Sequence, residues 1–591
     1  MNKILTVPKV LDNNIRVLYT GNHFISVPEI DTMNASVKSL NIVSIRNKGL
    51  VELSGAEELF KPLFYRNGKA LAIKSVKANQ MFYYIPGFII ILEDDSEIYV
   101  SIYTDLKEKG LIYDFKCDSP VDIELECNIE RLNLLRFNRH ETDFKCHIRA
   151  DKWLGNPAAD ICSCNTSLGI AFGGDKDFSY TQIEENKLVL KLECSGSNAF
   201  YIAINSDTDG ASTTLIHLRR KGYMKIFTEL KDWLLEKTIC CTNDSELEAI
   251  LNRNLFFNYF FAVGKDMESD KYIALTSRSP RYYVSGAFWE RDSFLWSFPA
   301  IRLIDEGLHK KLVREMILLH CKNAGDHAHY IDGTVLYPGF ELDEAASYLL
   351  LLRYADENDS EVSRAIDEVM DRIEKEYDYN TGLYKTFLLP SDDPTEYPFV
   401  TIDNVILWSG LQQLAAYYRR KGKNELIDMI YDRADCIRKG IYKHLVKEIN
   451  GRKMFVWSTD GFGNFRLYND PPGNLGLLNF YGFVEKDDEV FRNTIEYYYS
   501  AEYEYFRSDA SIKELACDHH PATPSGLGLC GSILNPLRQR EAIESLRHAV
   551  MDYGLLCESF DWYTGEAKTG IGFATGSGYL AFALYHALFG E

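Results

Sequence analysis

The run VTIDNVILWSGLQQLAAYYRRK (400–421), followed by NELIDMIYDRADCIRKGIYKHL (424–445), decides how this chain is read. In the first segment Ile402, Val405, Ile406, Leu411, Leu414, Ala415 and Tyr418 recur at steps that suit an α-helix. In the second, Ile427, Ile430, Ala434, Ile437 and Ile441 do the same. Such steps line apolar side chains along one helical face, and the short Gly-Lys break between the segments makes the pair a helical hairpin. The same period runs through 227–236, 245–263, 308–321, 342–355 and 360–376, and helix, loop, helix continues to the end. SELEAI (245–250) starts with a Ser N-cap and has Glu248 at the capping-box position. Roughly 350 residues of paired helices suit a barrel of six helical hairpins, an (α/α)6 barrel. A helical solenoid would need a fixed repeat length, which the chain lacks.

Ahead of this region the pattern is different. FIIILEDDSEIYVSIY (88–103), DIELECNIERLNLLRF (122–137) and KLVLKLEC (187–194) alternate apolar and polar residues and are bounded by Gly, Asn, Asp or Ser. Short strands at that spacing predict an antiparallel β-sandwich. The expected organisation is therefore two domains, a β-sandwich over 1–235 ending in a linker helix and an all-α barrel over 236–591. A chain of 591 residues is too long for one hydrophobic core, which agrees.

The formal net charge of −21 argues against nucleic acid or an anionic membrane as a partner, and suits a neutral substrate. The amino-terminal MNKILTVPKVLDNNIRV has too short an apolar run for a secretion signal, and no later stretch is long enough to span a bilayer. The 13 cysteines are scattered without zinc-ligand spacing or a disulfide framework. These features predict a cytoplasmic protein with reduced thiols and no metal or other cofactor. Tyr, Phe and Trp make up 13% of the chain; most must be core, and a sugar cleft also uses such rings as stacking surfaces.

Five loops between the helical segments hold the candidate chemistry. SGAFWERDSFLWSFPAI (285–301) brings Trp289, Arg291 and Asp292 together, and Arg beside Asp can grip adjacent sugar hydroxyls; a helix start with Asp292 as cap is the plainer reading. YPGFELDEAASYLLLLRYA (337–355) sets Glu341, Asp343 and Glu344 at the head of an apolar helix, where acids also complement the helix dipole. In FLLPSDDPTEYPFV (387–400), Asp392 and Asp393 are adjacent carboxylates. If they are partly buried, one keeps its proton near neutral pH, as a general acid requires; Ser-Asp-Asp-Pro is equally good turn chemistry. The loop containing GFGNFRLYNDPPGNLGLLNFYGF (461–483) includes Asn464 and reads as a pocket wall. CESFDWYTGEAKTG (557–570) places Glu558 near Phe560, Trp562 and Tyr563, the setting of a general base facing a sugar. His519 and His520, in CDHHPATPSG, are adjacent and lack a third spaced ligand, so they read as cleft lining.

Taken in order, these segments resemble the six-hairpin glycosidases, and most closely the metal-independent exo-α-1,6-mannosidases of glycoside hydrolase family 125. The family's A-M-W-L-R-D-S resembles Ala287–Ser293 (AFWERDS), and its E-L-D-S resembles Glu341-Leu-Asp-Glu. Its R-P-S-D-D-A resembles Pro390-Ser-Asp-Asp-Pro, and its H-E-S-F resembles Cys557-Glu-Ser-Phe. Its G-x-G-N…D-D-A-N-x-P-S-L-L…Y-L-G is similar to 461–483. The W-x-R-D-[ST] element is shared with glucoamylases and debranching-type amylo-α-1,6-glucosidases, and TIDNVILW (401–408) is similar to the latter. This chain departs at Glu290, Asn469 and Cys557, in the TGIGFAT (569–575) that stands in place of T-R-x-W-F, and in its β-rich N-terminal part.

The resemblance implies metal-independent hydrolysis with inversion, removing a terminal α-linked sugar, with α-1,6-mannoside as the leading substrate. Asp392 or Asp393 is then the acid and Glu558 the base. Trp289, Arg291, Asp292, Glu341, Asp343, Asn464 and Trp562 bind the substrate, with Asp343 next in line as acid. The competing expectations are α-glucosidase or amylo-α-1,6-glucosidase activity, a phosphorylase, and a non-catalytic sugar-binding protein on the same fold. The N-terminal domain is expected either to help form the cleft or to mediate homodimerisation.

Overall fold

The structure, a computed structural model, describes residues 17–590 apart from 165, 176, 177, 242 and 243. The amino-terminal segment 1–16, read above as lacking a secretion signal, lies outside the described residues. Packing divides the chain into two compact units, Met1–Ala287 and Phe288–Glu591. Among the described residues no helix is long and apolar enough to cross a membrane.

The first unit is rich in antiparallel sheet. Its larger sheet runs in the order Phe144–Ala150, Pro157–Ser163, Ser167–Gly174, Lys187–Asn205, Gly110–Asn128, Glu97–Thr104, Ile85–Leu92, Ile73–Met81. Two long strands, Gly110–Asn128 and Lys187–Asn205, form its spine and pair in register on both sides of a bulge between Cys117 and Val121. FIIILEDDSEIYVSIY becomes a hairpin because Asp95 takes a left-handed conformation (φ 63°) and the Asp94 carboxylate accepts the Ser96 N–H at 3.1 Å. The run 122–137, in contrast, serves two sheets. It leaves the larger sheet at Asn128 and joins the smaller one as Arg131–Arg136, between Gly49–Ser54 and Asn138–Thr142.

The change of periodicity near residue 225 corresponds to the helices Thr208–Lys221 and Tyr223–Lys237. The helix Ser245–Phe261 also belongs to the first unit, and its aromatic side chains explain why. Phe257 and Phe261 meet Tyr19 edge-on at 4.7 and 5.6 Å between centroids, and Phe260 packs on Tyr84 at 4.7 Å. Its cap is Asp244, one residue ahead of the Ser245 expected from the sequence; the Asp244 side chain accepts the Leu247 N–H at 3.1 Å. Glu248 instead accepts the Cys241 N–H at 2.9 Å.

The second unit is helical, and its helices alternate in character. Leu342–Leu351, Thr401–Arg420, Gly526–Leu534 and Ala574–Phe589 are buried over most of their circumference. Glu306–His320, Ser360–Glu374, Ile427–His444 and Gln539–His548 bury one stripe each, as Val362, Ala365, Ile366, Val369 and Ile373 show in the second of these. A helix apolar all round needs neighbours on every side, whereas a striped helix covers such a layer and faces water. The hairpin 400–445 is one inner and one outer member of this two-layer arrangement. The loops that follow or precede the inner helices hold most of the candidate site.

Candidate active site

Arg291 lies at the centre of the site. It opens a short π-helical segment, Arg291–Ser297, and is almost fully buried. A guanidinium cannot lose its charge cheaply, so burial demands carboxylates around it. Its Nε donates to Asp343 Oδ2 at 2.6 Å, its Nη2 is paired with Glu341, and its Nη1 lies 3.4 Å from Asp392 Oδ1 and 3.7 Å from Glu344 Oε1. Burial alone would weaken its hold on the proton, but the charges of Asp343, Glu341 and Glu344 raise its pKa well above the ordinary value. Glu341, Asp343 and Glu344 head the inner helix Leu342–Leu351, so the sequence order E-L-D-E becomes a three-carboxylate cradle.

Beside this cradle several acids hold their protons more tightly than a solvated carboxyl does. Burial pushes Asp292 up to about 8, with the charges of Asp392 and Glu558 adding to the effect and Arg291 and a hydrogen bond from Thr575 Oγ1 (2.9 Å) opposing it. Glu290 is pushed up to about 8, also mainly by burial, while it accepts from Tyr348 Oη and from the Gly325 N–H at 2.7 Å. That last contact needs glycine. Gly325 has φ +81°, and a Cβ there would stand 2.9 Å from Phe340 Cε2. Burial raises Asp470 to about 7, against hydrogen bonds from Ser391 and Tyr468. Asp403, in the first turn of the inner helix Thr401–Arg420, is fully buried and rises well above the usual carboxylate range for the same reason, reinforced by Asp343.

His327 was not singled out from the sequence. It sits on the strand Asp326–His329, paired with Val335–Phe340. Its Nδ1 pairs with Glu341 Oε1 and lies 3.9 Å from Asp392 Oδ1. Burial is the largest single influence and works against its charge, but the hydrogen bond to Glu341 and the charges of Glu341 and Asp392 together outweigh it, and its pKa is raised. His327, Glu341 and Asp392 each offer a donor atom within 4.8 Å of the others, a grouping that in principle can hold a metal ion. Arg291 already supplies a cation to two of these three carboxyl and imidazole groups' carboxylates, Glu341 and Asp392, which meets the same electrostatic need.

The two adjacent aspartates point to different neighbours. Asp392 faces Arg291 and His327; its side chain is 49% exposed and its φ is +70°. The turn that holds it is closed by Leu389 N–H to Asp393 O at 2.7 Å and Asp392 N–H to Leu389 O at 2.9 Å. Asp393 instead pairs with His519 Nδ1 at 2.7 Å, which puts His519 on the rim of the loop 390–393. Glu558 is half-buried, with its chain running against Gly570. It shares the neighbourhood of Asp292 with Asp392.

Trp289 is 5% exposed and meets His327 edge-on at 5.7 Å. Asn464 is exposed in the turn between Ser458–Thr459 and Phe465–Arg466, where its Nδ2 donates to Asp460 at 2.6 Å. Trp562 packs with Ala510 and Ala516 in a core cluster and carries the Arg507 guanidinium 5.5 Å above its ring. On the inner side of Arg291 and Asp343 is a cavity of about 20 Å³, walled by Trp296, Tyr481 and Tyr579 among others. It has room for a single water, so a sugar would have to approach from the side of Asp392 and His327.

Residues 357–577 match the model of a family described as metal-independent alpha-mannosidase (GH125). Among curated proteins, the meiotically up-regulated gene 157 protein of Schizosaccharomyces pombe is 29% identical over 125 residues, which is 21% of this chain and 25% of that protein; the match thus spans a quarter of the relative's length. A bacterial glucoamylase solved with acarbose shares the fold over 98% of this chain and 97% of its own, at a TM-score of 0.62 and 12% identity. A kojibiose phosphorylase-type protein from the human microbiome follows over 97% and 87%, at 0.58 and 11%. A metal-independent α-mannosidase of Streptococcus pneumoniae, solved in a non-productive complex with α-1,6-mannobiose, covers 61% of this chain with 98% of its own, at 0.54 and 17%. A sheet-rich N-terminal region followed by a helical C-terminal region is common ground with the glucoamylase-like structures, and the enzyme class these comparisons support is a glycosidase of (α/α)6 character, with the GH125 match lying over residues 357–577.

Proposed function

We propose that this protein is an exo-acting glycoside hydrolase that removes a terminal α-linked sugar, with α-1,6-mannoside as the leading substrate, by metal-independent inversion. The catalytic part is proposed to be an (α/α)6 barrel, and the N-terminal part a β-sandwich. One observation carries the reading: Asp392 and Glu558, far apart in sequence, both bear electrostatically on the buried Asp292. Two carboxyl groups converging on one site are the minimum equipment for inversion. One protonates the departing oxygen while the other draws a proton from water on the opposite face of the sugar, across about 6.5–9.5 Å.

Asp392 is assigned as the acid by its place, half-exposed at the edge of the Arg291 cradle beside His327, whereas Asp393 is engaged by His519. Glu558 is assigned as the base. Asp292, Glu341 and Asp343, with Arg291, form the polar floor that holds sugar hydroxyls, and Trp289 is the wall. Asn464 and Trp562 are kept as substrate-binding residues only in the outer reaches of the site, given the hairpin turn and the core cluster in which they lie.

The test is hydrolysis of a panel of aryl α-glycosides and α-1,6-linked disaccharides in EDTA, comparing wild type with Glu558→Gln. Wild type is expected to release one terminal sugar, seen first as the inverted anomer by NMR. The variant is expected to lose at least about 10³-fold in rate while keeping its unfolding temperature. The glucoamylase-like fold over nearly the whole chain favours a second reading, an α-glucosidase or amylo-α-1,6-glucosidase; preferential release of glucose by the same panel would select it. Tight sugar binding without turnover would overturn both in favour of a binding protein.

A further inference from the structure

We infer that Tyr337, together with Phe387, is the platform on which the leaving part of the substrate stacks; the inference rests on the glycosidase reading above. Trp289, His327 and Tyr337 form a staircase of rings from the buried floor to solvent. Trp289 meets His327 at 5.7 Å and 89°, and His327 meets Tyr337 at 6.1 Å and 50°. Exposure rises along it, from 5% at Trp289 to 39% at Tyr337. The proposed acid stands beside the middle step, since Asp392 Oδ1 is 3.9 Å from His327 Nδ1.

A bond protonated by Asp392 lies level with His327, so the two sugars it joins extend in opposite directions along the staircase. Beyond Arg291 and Asp343 the inner cavity has room for a water and not for a sugar. The terminal sugar therefore sits on the Trp289 side and the leaving group over Tyr337. Phe387 reinforces that outer step. Its N–H donates to Phe340 O at 2.8 Å, and Gly339 brings the two segments together: a Cβ there would meet Phe387 Cδ1 at 3.5 Å and Leu388 Cδ1 at 3.1 Å. Both rings face solvent, Tyr337 on the strand Val335–Phe340 and Phe387 on the segment hydrogen-bonded to the end of that strand, and a ring flanked by polar groups is what the C–H face of a pyranose stacks on.

Two substrates separate this role from a general one. α-1,6-Mannobiose has a leaving sugar, whereas α-mannosyl fluoride has only a fluoride ion, which occupies no platform and departs without a proton. For Tyr337→Ala, kcat/KM on mannobiose is expected to fall about fivefold to tenfold, chiefly through KM, while hydrolysis of the fluoride changes less than twofold. Tyr337→Phe, which keeps the ring, should retain mannobiose hydrolysis within about twofold, and Phe387→Ala should repeat the Tyr337→Ala pattern more weakly. Equal losses on both substrates, or no loss on either, would overturn the platform and leave the glycosidase reading standing. Hydrolysis of neither substrate by wild type would overturn the α-1,6-mannosidase reading, and the platform with it.

Discussion

Asp292 retains a proton that a solvated aspartate gives up near pH 4, because its burial and the nearby charges of Asp392 and Glu558 oppose ionisation. A raised folded-state pKa means that the native chain binds more protons than the unfolded one between about pH 4 and about 8. Stability from this group is therefore complete below the unfolded pKa and is lost as pH rises through the folded one. Asp292→Asn cannot ionise and should escape that loss. The variant is expected to gain on wild type by at least about 1 kcal/mol more at pH 8 than at pH 5, read from urea midpoints at the two pH values. A constant difference would mean that Asp292 ionises normally in the folded protein. None of this was visible in W-E-R-D-S, where Asp292 looked as much like a helix cap as a ligand. Its burial depends on Thr575, which lies 283 residues away.

Single glycines and arginines fix whole elements. Gly570, at φ +69°, lies against the Glu558 side chain, and a Cβ there would stand 2.4 Å from Glu558 Cγ. Gly570→Ala is expected to displace the proposed base and lower kcat at least about tenfold, with a smaller effect on the melting temperature than on the rate; unchanged kinetics would show that Glu558 has room to move. In the first unit, buried Arg278 donates through Nη1 to the carbonyls of Asn22 and, at 2.9 Å, Phe260, so it closes the end of the helix Ser245–Phe261. Arg278→Met leaves those carbonyls buried without a donor and should cost about 2–4 kcal/mol in chemical denaturation. Elements of this kind were legible to different degrees. Helical period gave the positions of seven helices to within a few residues, because the apolar spacing is itself the cause of the packing. His327 was invisible because it sits on a four-residue strand whose place is set by its partner strand, and the packing of Trp562 was invisible because the small residues it touches, Ala510 and Ala516, lie some fifty residues earlier.

For the molecule as a whole, the formal charge of −21 acts on stability as well as on partner choice. A compact chain of one dominant sign repels itself, and salt shortens the reach of that repulsion from about 30 Å at 0.01 M to about 8 Å at 0.15 M. The melting temperature should rise by a few degrees over that range, measured by calorimetry; a fall would indicate that attractive ion pairs outweigh the net charge. The two-part organisation was legible because alternation and helical period are distinct signals. The site was legible only as a set of loops, since what makes it a site is the convergence of 289–292, 327, 341–344, 392 and 558, which sequence order does not show.

The turn that carries Asp392 also restricts which acid the position can hold. At φ +70° the backbone lies in a region that aspartate and asparagine enter with little strain and most longer side chains avoid. Glutamate, the usual chemical substitute for aspartate, would have to bend the loop before its carboxyl could reach Arg291, whereas asparagine can keep the shape and remove only the acid function. The conformation of the chain thus selects a short carboxylic acid at this point, and any relative of this enzyme that uses a longer one must have rebuilt the loop between Leu388 and Pro394 to do so.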